Sequence, residues 1–199
     1  MRYGAKRWIV WGMLAFTWPL GVPSRVAYRW WGSEAIFDFC AKLLSLVPGI
    51  PGQYARTSFY VQTLDCAHYD LAMAFGSFVS RPTARLGRRV VVGSYTIIGN
   101  ATIEDGVLIA SRVSVLSGKH QHGSSLEDGE LRQEPEYAAL RIGAESWIGE
   151  GAVVMASLGR HCIVSAGSVV TKPAPDRTVA IGNPARFLYP AVTDVAAPA

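Results

Sequence analysis

The sequence predicts a mainly β protein: a left-handed parallel β-helix of hexapeptide repeats with an N-terminal helical segment. Three observations predict this fold. Aliphatic residues recur every six positions from Leu86 onward, small or β-branched residues recur at a fixed place between them, and the first fifty residues have a separate, tryptophan-rich composition. The chain has 199 residues, which is enough for one domain with a core and a short appendage.

The repeat is a count of six residues. Its units begin with twelve aliphatic residues, in four blocks of three: Leu86, Val92, Ile98; Ile103, Ile109, Val115; Ile142, Ile148, Val154; Leu158, Val164, Val170. One residue is missing from the count before Ile103, a long interruption precedes Ile142, and two residues are missing before Leu158. We call these twelve residues the heads of the units. Glycine follows several of the heads, as at Gly87 and Gly143. We expect these glycines near corners, where positive φ or close backbone approach is easiest for glycine.

The fifth place of each unit is restricted as well. It holds small or β-branched residues: Val90, Thr96, Thr102, Val107, Val113, Ser146, Ala152, Cys162 and Ser168. One large and one small inward position in six are typical of a short strand and a turn, and three such units close a triangular coil of about eighteen residues. Hairpins or a small sandwich would show two-residue alternation instead. We expect about five coils if residues 70–85 form the first, and a trimer of such prisms.

Residues 1–49 have a different composition. They contain five of the six tryptophans: Trp8, Trp11, Trp18, Trp30 and Trp31. An uncharged run of seventeen residues extends from Trp8 to Ser24 between basic residues, and it is short for a membrane span of about 20. Pro19 and Pro23 lie inside the run, and we expect them to interrupt a helix there.

Three interpretations of this segment stay open. A basic start and an apolar centre fit a signal peptide, although no convincing cleavage site follows. Tryptophans at the headgroup level and arginines that reach phosphates favour a monotopic anchor instead, as does the short apolar run. An ordinary helix docked on protein would bury the same aromatics. The anchor is favoured, so we expect peripheral membrane contact through residues 1–50.

The remaining organisation follows from periodicity. Residues 34–47 have helical apolar spacing at Ile36, Phe37, Cys40, Leu43, Leu44 and Val47. The Pro- and Gly-rich residues 48–52 form a turn, and 53–64 predict a second helix. The predicted units are a helical segment at 1–66, a β-helix at 67–188 with a loop at 117–141, and a tail at 189–199.

Composition limits the partners. Half of the chain is hydrophobic and 17% is charged, which excludes disorder outside the ends. The net charge of +4 suggests an anionic partner such as a phosphorylated cofactor or anionic lipid, and no basic run is dense enough to favour nucleic acid. Cys40, Cys66 and Cys162 are odd in number, so we expect no disulfide framework, a reducing compartment and three buried thiols.

The interruption of the repeat carries the candidate chemistry. After Leu116 the chain leaves the six-residue count and resumes it only at Arg141, and such an excursion from a compact solenoid indicates a function. It is rich in carboxylates and begins with two of the four histidines, His120 and His122. A histidine titrates near neutral pH, which suits a general base that removes the proton of a hydroxyl.

Two motifs make the sequence resemble the hexapeptide-repeat O- and N-acetyltransferases, and most of all the bacterial capsule and exopolysaccharide O-acetyltransferases. Residues 117–120, Ser-Gly-Lys-His, are similar to the stretch at which the family places its catalytic histidine. Residues 164–172 and 180–186 resemble its final coil and closing motif. The resemblance covers about residues 78–188. It implies an acetyltransferase with His120 as general base, acetyl-CoA as co-substrate, direct transfer in a ternary complex, and a cytoplasmic location at the inner face of the membrane.

The resemblance also implies a cofactor site. Lys172 and Arg186 correspond to the end of the prism where the family contacts the nucleotide part of CoA, and their charges match its phosphates. Ala166 and Thr171 match positions that accept the pantetheine arm, and Trp147 matches a tryptophan that walls the thioester tunnel. The alternatives are a solvated terminal face for the two cations and trimer packing for Trp147. No metal site is implied.

Other assignments stay open. His122 is the second choice for the base, and Glu134 or Glu136 could orient the imidazole. The favoured acceptor is a sugar hydroxyl of a polysaccharide or a lipid-linked glycan, with N-acetylation of a nucleotide-linked amino sugar as an alternative. A zinc carbonic anhydrase would need His120, His122 and His161 to converge between subunits as three ligands, and a non-catalytic scaffold would not bind CoA.

Overall fold

The computed structural model describes residues 3–117, 125–127, 130–132 and 139–188. Three helices come first: α1 Tyr3–Trp31, α2 Ala35–Ser45 and α3 Gly49–Thr63. The strands follow: β1 Ala72–Met73, β2 Phe78–Val79, β3 Arg85–Leu86, β4 Val91–Val92, β5 Ile97–Ile98, β6 Ala101–Ile103, β7 Leu108–Ile109, β8 Ser114–Val115, β9 Ser125–Glu127, β10 Glu130–Arg132, β11 Leu140–Ile142, β12 Trp147–Ile148, β13 Val153–Val154, β14 Ile163–Val164, β15 Val169–Val170, β16 Val179–Ile181 and β17 Arg186–Leu188.

The strands form a three-sided prism. Face A contains β3, β6 and β11, with single bridges that add Cys66, Leu158 and Ala174. Face B contains β1, β4, β7, β12, β14 and β16, and face C contains β2, β5, β8, β13 and β15. Pairing on all three faces is parallel, and β17 adds to β16 in the antiparallel direction. The predicted parallel β-helix is confirmed, with a first coil that includes residues 70–85.

The core is a stack of the predicted heads. All twelve are at most 3% exposed. The fifth-place residues are buried as well, except Thr102, for which the prediction was wrong. Because one residue is missing before Ile103, the neighbouring Ala101 takes the inward place and Thr102 faces outward. Inward hydroxyls are paired: Thr96 Oγ1 donates to Ala110 O at 2.9 Å and accepts from the Val113 N–H at 3.2 Å.

The corners show which of the two expected roles the glycines have. Positive φ occurs three residues after the head, at Arg89 (55°), Arg112 (58°) and Gly151 (68°). The glycines directly after the heads are needed for close approach, because a Cβ on Gly143 would lie 2.4 Å from the carbonyl carbon of Gly159 in the next coil. Stacked coils lie about 4.8 Å apart, which leaves no room for that carbon.

All irregularity in the count falls at one corner. From face A to face B and from face B to face C the heads are six residues apart in every coil, as from Leu86 to Val92 and from Val92 to Ile98. The missing residues and the long interruption all lie between face C and face A. We call this edge of the prism the C–A corner.

Helix α1 corrects one prediction, because it runs through Pro19 and Pro23 without a break. Both prolines lie on its exposed side, where water can reach the carbonyls that lack an amide partner. The opposite side packs on α3, where the Ser58 hydroxyl donates to Val10 O at 3.1 Å. Tertiary packing therefore outweighs the cost of the prolines.

Helices α2 and α3 also differ in part from the prediction. The apolar residues predicted for one face of α2 are split: Phe37, Cys40 and Leu44 are buried, whereas Ile36 and Leu43 are exposed. The predicted turn at 48–52 is shorter, because α3 begins at Gly49 with a proline in its first turn. The predicted boundaries at 66 and 188 stay predictions.

The cysteine prediction holds for two residues of three. Cys40 and Cys162 are buried, and burial raises the pKa of the Cys162 thiol. Cys66 is exposed, contrary to the prediction. It lies on the outer side of face A, where its bridge to Arg85 begins the first coil.

Arg56 joins the helices to the prism. Its buried guanidinium donates to Leu44 O in the last turn of α2 at 3.0 Å, to Val47 O just after α2 at 2.8 Å, and to Met73 O in β1 at 3.1 Å. Burial lowers the pKa of this group. Beside it, the buried Tyr60 hydroxyl accepts from the Val79 N–H at 3.0 Å.

We predict that Arg56→Met lowers the free energy of unfolding by about 2–4 kcal/mol, because it leaves several buried carbonyls unpaired. Denaturant unfolding measures this. Arg160→Met at an exposed arginine is the control, with an expected change within about 0.5 kcal/mol. Equal effects of the two variants would contradict the role of Arg56.

We also predict that Gly143→Ala destabilises the protein by about 1–3 kcal/mol, because the added methyl group meets backbone rather than a movable side chain. Gly12→Ala is the matched control: this glycine lies in α1 with nothing within 4 Å of an added Cβ. It should be neutral or stabilise by up to about 1 kcal/mol. If both variants unfold at the same denaturant concentration, close coil packing does not require glycine at 143.

Candidate active site

The loop of residues 118–139 leaves the prism at the C–A corner, between β8 and β11. Both of its ends are bound to Asn100 in the coil before. The Asn100 N–H donates to Ser117 Oγ at 2.7 Å, and the Leu140 N–H donates to Asn100 O at 3.1 Å. Ser117 is buried, and a Cβ on Gly99 would lie 2.5 Å from its hydroxyl oxygen. The root of the loop is therefore fixed by the prism.

Sequence reasoning missed Asn100 and Thr83. The Thr83 hydroxyl donates to Asn100 Oδ1 at 3.0 Å, which holds the amide at the root of the loop. The available signal was that Asn100 stands where the count loses a residue, directly after Gly99. Asn100 thus joins the candidate residues.

The predicted base lies outside the described residues, and so do His122, Glu134 and Glu136. The described parts of the loop are β9 and β10, which pair in the antiparallel direction. His161, the third ligand of the zinc alternative, is exposed in a turn between faces A and B with φ of 54°. That turn lies on a different corner of the same prism from the root of the loop.

The predicted cofactor residues fall into two groups. Thr171 and Lys172 follow β15 at the C–A corner, two coils beyond the root of the loop, or about 10 Å along the prism. Trp147 lies on face B, about half exposed, between Leu108 and Ile163 in the ladder. Ala166 lies in the turn between faces B and C. Face C therefore separates the two groups.

Arg186 is the remaining predicted cofactor residue. It lies in β17, opposite Ile181 of β16, and is exposed at the end of face B. Lys172 is also exposed. Exposed cations at the last coil are compatible with phosphate binding, and they are also compatible with a solvated terminal face.

The outer sides of the faces differ in character. Face A carries charge: Arg141 pairs with Glu104 at 2.6 Å, and Arg85 and Arg160 line the same cavity of about 470 Å³. Face B carries an exposed apolar ladder of Val91, Leu108, Trp147 and Ile163. An exposed apolar ladder of this kind is typical of an interaction surface.

Comparison with known proteins places these features in context. No family model matches the chain. The galactoside O-acetyltransferase of Escherichia coli K12 is 35% identical over 101 residues, which is 49% of this chain and 46% of that protein. Serine acetyltransferase 2 of Arabidopsis thaliana is 30% identical over 129 residues, 59% of this chain and 36% of that protein. The chain thus spans less than half of either relative.

Two solved structures share the fold. A maltose O-acetyltransferase from Clostridium difficile 630 superposes with a TM-score of 0.65 at 22% identity, over 76% of this chain and 83% of that one. A galactoside acetyltransferase in complex with coenzyme A superposes with a TM-score of 0.62 at 25% identity, over 76% and 78%. The left-handed β-helix and the resemblance to the hexapeptide-repeat acetyltransferases are confirmed.

Proposed function

We propose, from the premise that this chain resembles the hexapeptide-repeat acetyltransferases in sequence and fold, that it transfers acetyl from acetyl-CoA to a sugar hydroxyl of a polysaccharide or lipid-linked glycan. One observation carries this proposal. The loop whose sequence contains His120 leaves the prism at the C–A corner, on which Thr171 and Lys172 also lie. A base and a cofactor contact can therefore share one edge of the molecule.

His120 acts as the general base in this proposal. Its imidazole takes the proton of the acceptor hydroxyl while the hydroxyl oxygen attacks the thioester carbonyl carbon. Backbone N–H groups near the same edge donate to the oxyanion that forms. The C–S bond then breaks, the acetyl group stays on the sugar oxygen, and the imidazolium returns the proton to the CoA sulfur.

No covalent acyl-enzyme is needed, because both substrates meet in one ternary complex. The Cys162 thiol is a poor candidate for such a nucleophile, since it is buried inside the prism and burial raises its pKa.

Acetyl-CoA is bound by Trp147, Ala166, Thr171, Lys172 and Arg186 in this proposal. The separation of these residues by face C supports a homotrimer. A groove between two prisms is the simplest arrangement in which one cofactor contacts Thr171 and Lys172 of one copy and Trp147 and Ala166 of the next. The apolar ladder on face B supports the same assembly.

A cytoplasmic location at the inner face of the membrane is part of the proposal. Contact through residues 1–50 would bring the enzyme to a lipid-linked acceptor. Its support is the tryptophan- and arginine-rich composition of that segment.

We predict that His120→Ala reduces acetyl transfer by about 10²–10⁴-fold, the usual contribution of a general base. Release of the CoA thiol in the presence of a panel of sugars measures this, and amino sugars in the same panel distinguish N- from O-acetylation. His161→Ala, on another corner, is the control and should retain activity. Wild-type turnover by the His120 variant would overturn the assignment, and full loss in His122→Ala alone would move the role to His122.

We further predict that Lys172→Ala and Arg186→Ala each raise the KM for acetyl-CoA about tenfold or more, the usual cost of losing a charged hydrogen bond. The kcat should change little. An acetyl-CoA analogue that lacks the 3′-phosphate identifies the contact, because a variant that has lost that contact no longer discriminates the analogue. Arg177→Ala, in the turn between faces A and B, is the control. An unchanged KM in both variants would mean that these cations are only a solvated end of the prism.

A further inference from the structure

Helix α1 has one face that is already occupied by protein. Val10, Thr17 and Ser24 are buried on it. The Gln62 side chain of α3 donates to Thr17 Oγ1 at 2.7 Å, and a guanidinium nitrogen of Arg25 donates to Gln62 O at 2.7 Å. Docking on protein therefore accounts for this face alone.

The opposite face of α1 is aromatic and exposed. Trp8, Trp11 and Trp18 are spaced by three and seven residues, which places them on one side of a helix. Trp8 is 77% exposed and Trp18 is 61% exposed. Val26 and Trp30 continue the face toward the end of the helix and are exposed as well. We call these five residues the aromatic face.

The charged residues of the segment that contains the aromatic face have one sign. Residues 1–33 contain no aspartate or glutamate, and they contain five basic residues: Arg2, Lys6, Arg7, Arg25 and Arg29. Arg7 lies four residues before Trp11, and Arg29 lies eighteen residues after it, or about five helical turns, so both lie on the side of the helix that carries Trp11. Within the described residues, none of the helices combines the length and the hydropathy needed to span a bilayer.

We propose that α1 lies in the plane of an anionic membrane surface, with the aromatic face in the interfacial region and Arg7 and Arg29 at the lipid phosphates. Tryptophan favours the headgroup level, and a helix of this kind binds by its apolar area together with attraction to anionic lipid. The absence of acidic residues matches a negative surface over the 29 residues of the helix. Protein docking and membrane anchoring are then not alternatives, because one face of α1 packs on protein and the aromatic face contacts the membrane.

This proposal goes beyond acetyl transfer and does not depend on it. Sedimentation of the full chain with vesicles tests it, using phosphatidylcholine alone and phosphatidylcholine with one third phosphatidylglycerol. The protein should bind the anionic vesicles at least tenfold more tightly and lose most binding at high salt. Trp8→Ser/Trp11→Ser/Trp18→Ser should abolish binding, and Arg7→Gln/Arg29→Gln should weaken it roughly 25-fold, about fivefold for each arginine.

Matched variants distinguish binding through the aromatic face from a general effect of charge or of unfolding. Arg88→Gln/Arg160→Gln removes two exposed arginines from the β-helix and should bind vesicles like the wild type. Brominated acyl chains should quench the tryptophan fluorescence of the wild type and of Trp147→Phe, which lacks the β-helix tryptophan, but not that of the triple variant. An unchanged thermal midpoint of the triple variant excludes unfolding as the cause.

Several outcomes would overturn the proposal. Equal binding to neutral and anionic vesicles removes the role of the arginines, and wild-type binding by the triple tryptophan variant removes the role of the aromatic face. If the wild type binds neither vesicle and the triple variant lowers its oligomeric state, then a protein contact covers the face instead.

Discussion

The backbone pairing of one coil with the next is the constraint on which the rest of the protein depends. Backbone N–H groups of each coil donate to carbonyl oxygens of the next coil at equivalent positions. Examples are the Gly93 N–H to Ile109 O at 2.8 Å and the Gly149 N–H to Val164 O at 2.7 Å. This pairing sets the distance between coils. It stacks the aliphatic heads in the core and requires glycine where the corners approach. It also fixes where the loop begins, since Asn100 holds both ends of the loop from the coil before.

Buried hydrogen bonds hold the helical segment on the prism. The Arg56 guanidinium draws together carbonyls from β1 and from the end of α2, and the Tyr60 hydroxyl receives an amide of β2. Displacement of a buried cation that donates to several carbonyls costs free energy, because the displaced groups lose their hydrogen-bond partners. The helices are thereby held at the first coil, and α1 rests on them with its aromatic side outward.

The sequence was sufficient for the prism because six-residue periodicity is a local signal. The heads, the number of coils and the interruption could all be found by counting. The prediction that Thr102 points inward was wrong, because the missing residue shifts the inward place by one position to Ala101. The continuation of α1 through Pro19 and Pro23 depends on packing against α3, more than thirty residues away. Counting marks the position of Asn100, where a residue is missing, but not its role, which comes from contacts with Thr83 and Ser117 of two other coils.

The three corners differ in how much variation in chain length they accept. Two corners are closed turns whose length is the same in every coil, so an insertion there would break the stacking of all later coils. The C–A corner already accepts steps of different length, and among the described residues Ser117 and Leu140 bind the two ends of its loop to Asn100. A loop of another length and composition could therefore be transplanted between these two positions with the scaffold unchanged. The chemistry that the loop supplies could then change while the twelve aliphatic positions of the core and the contacts of Arg56 stay as they are.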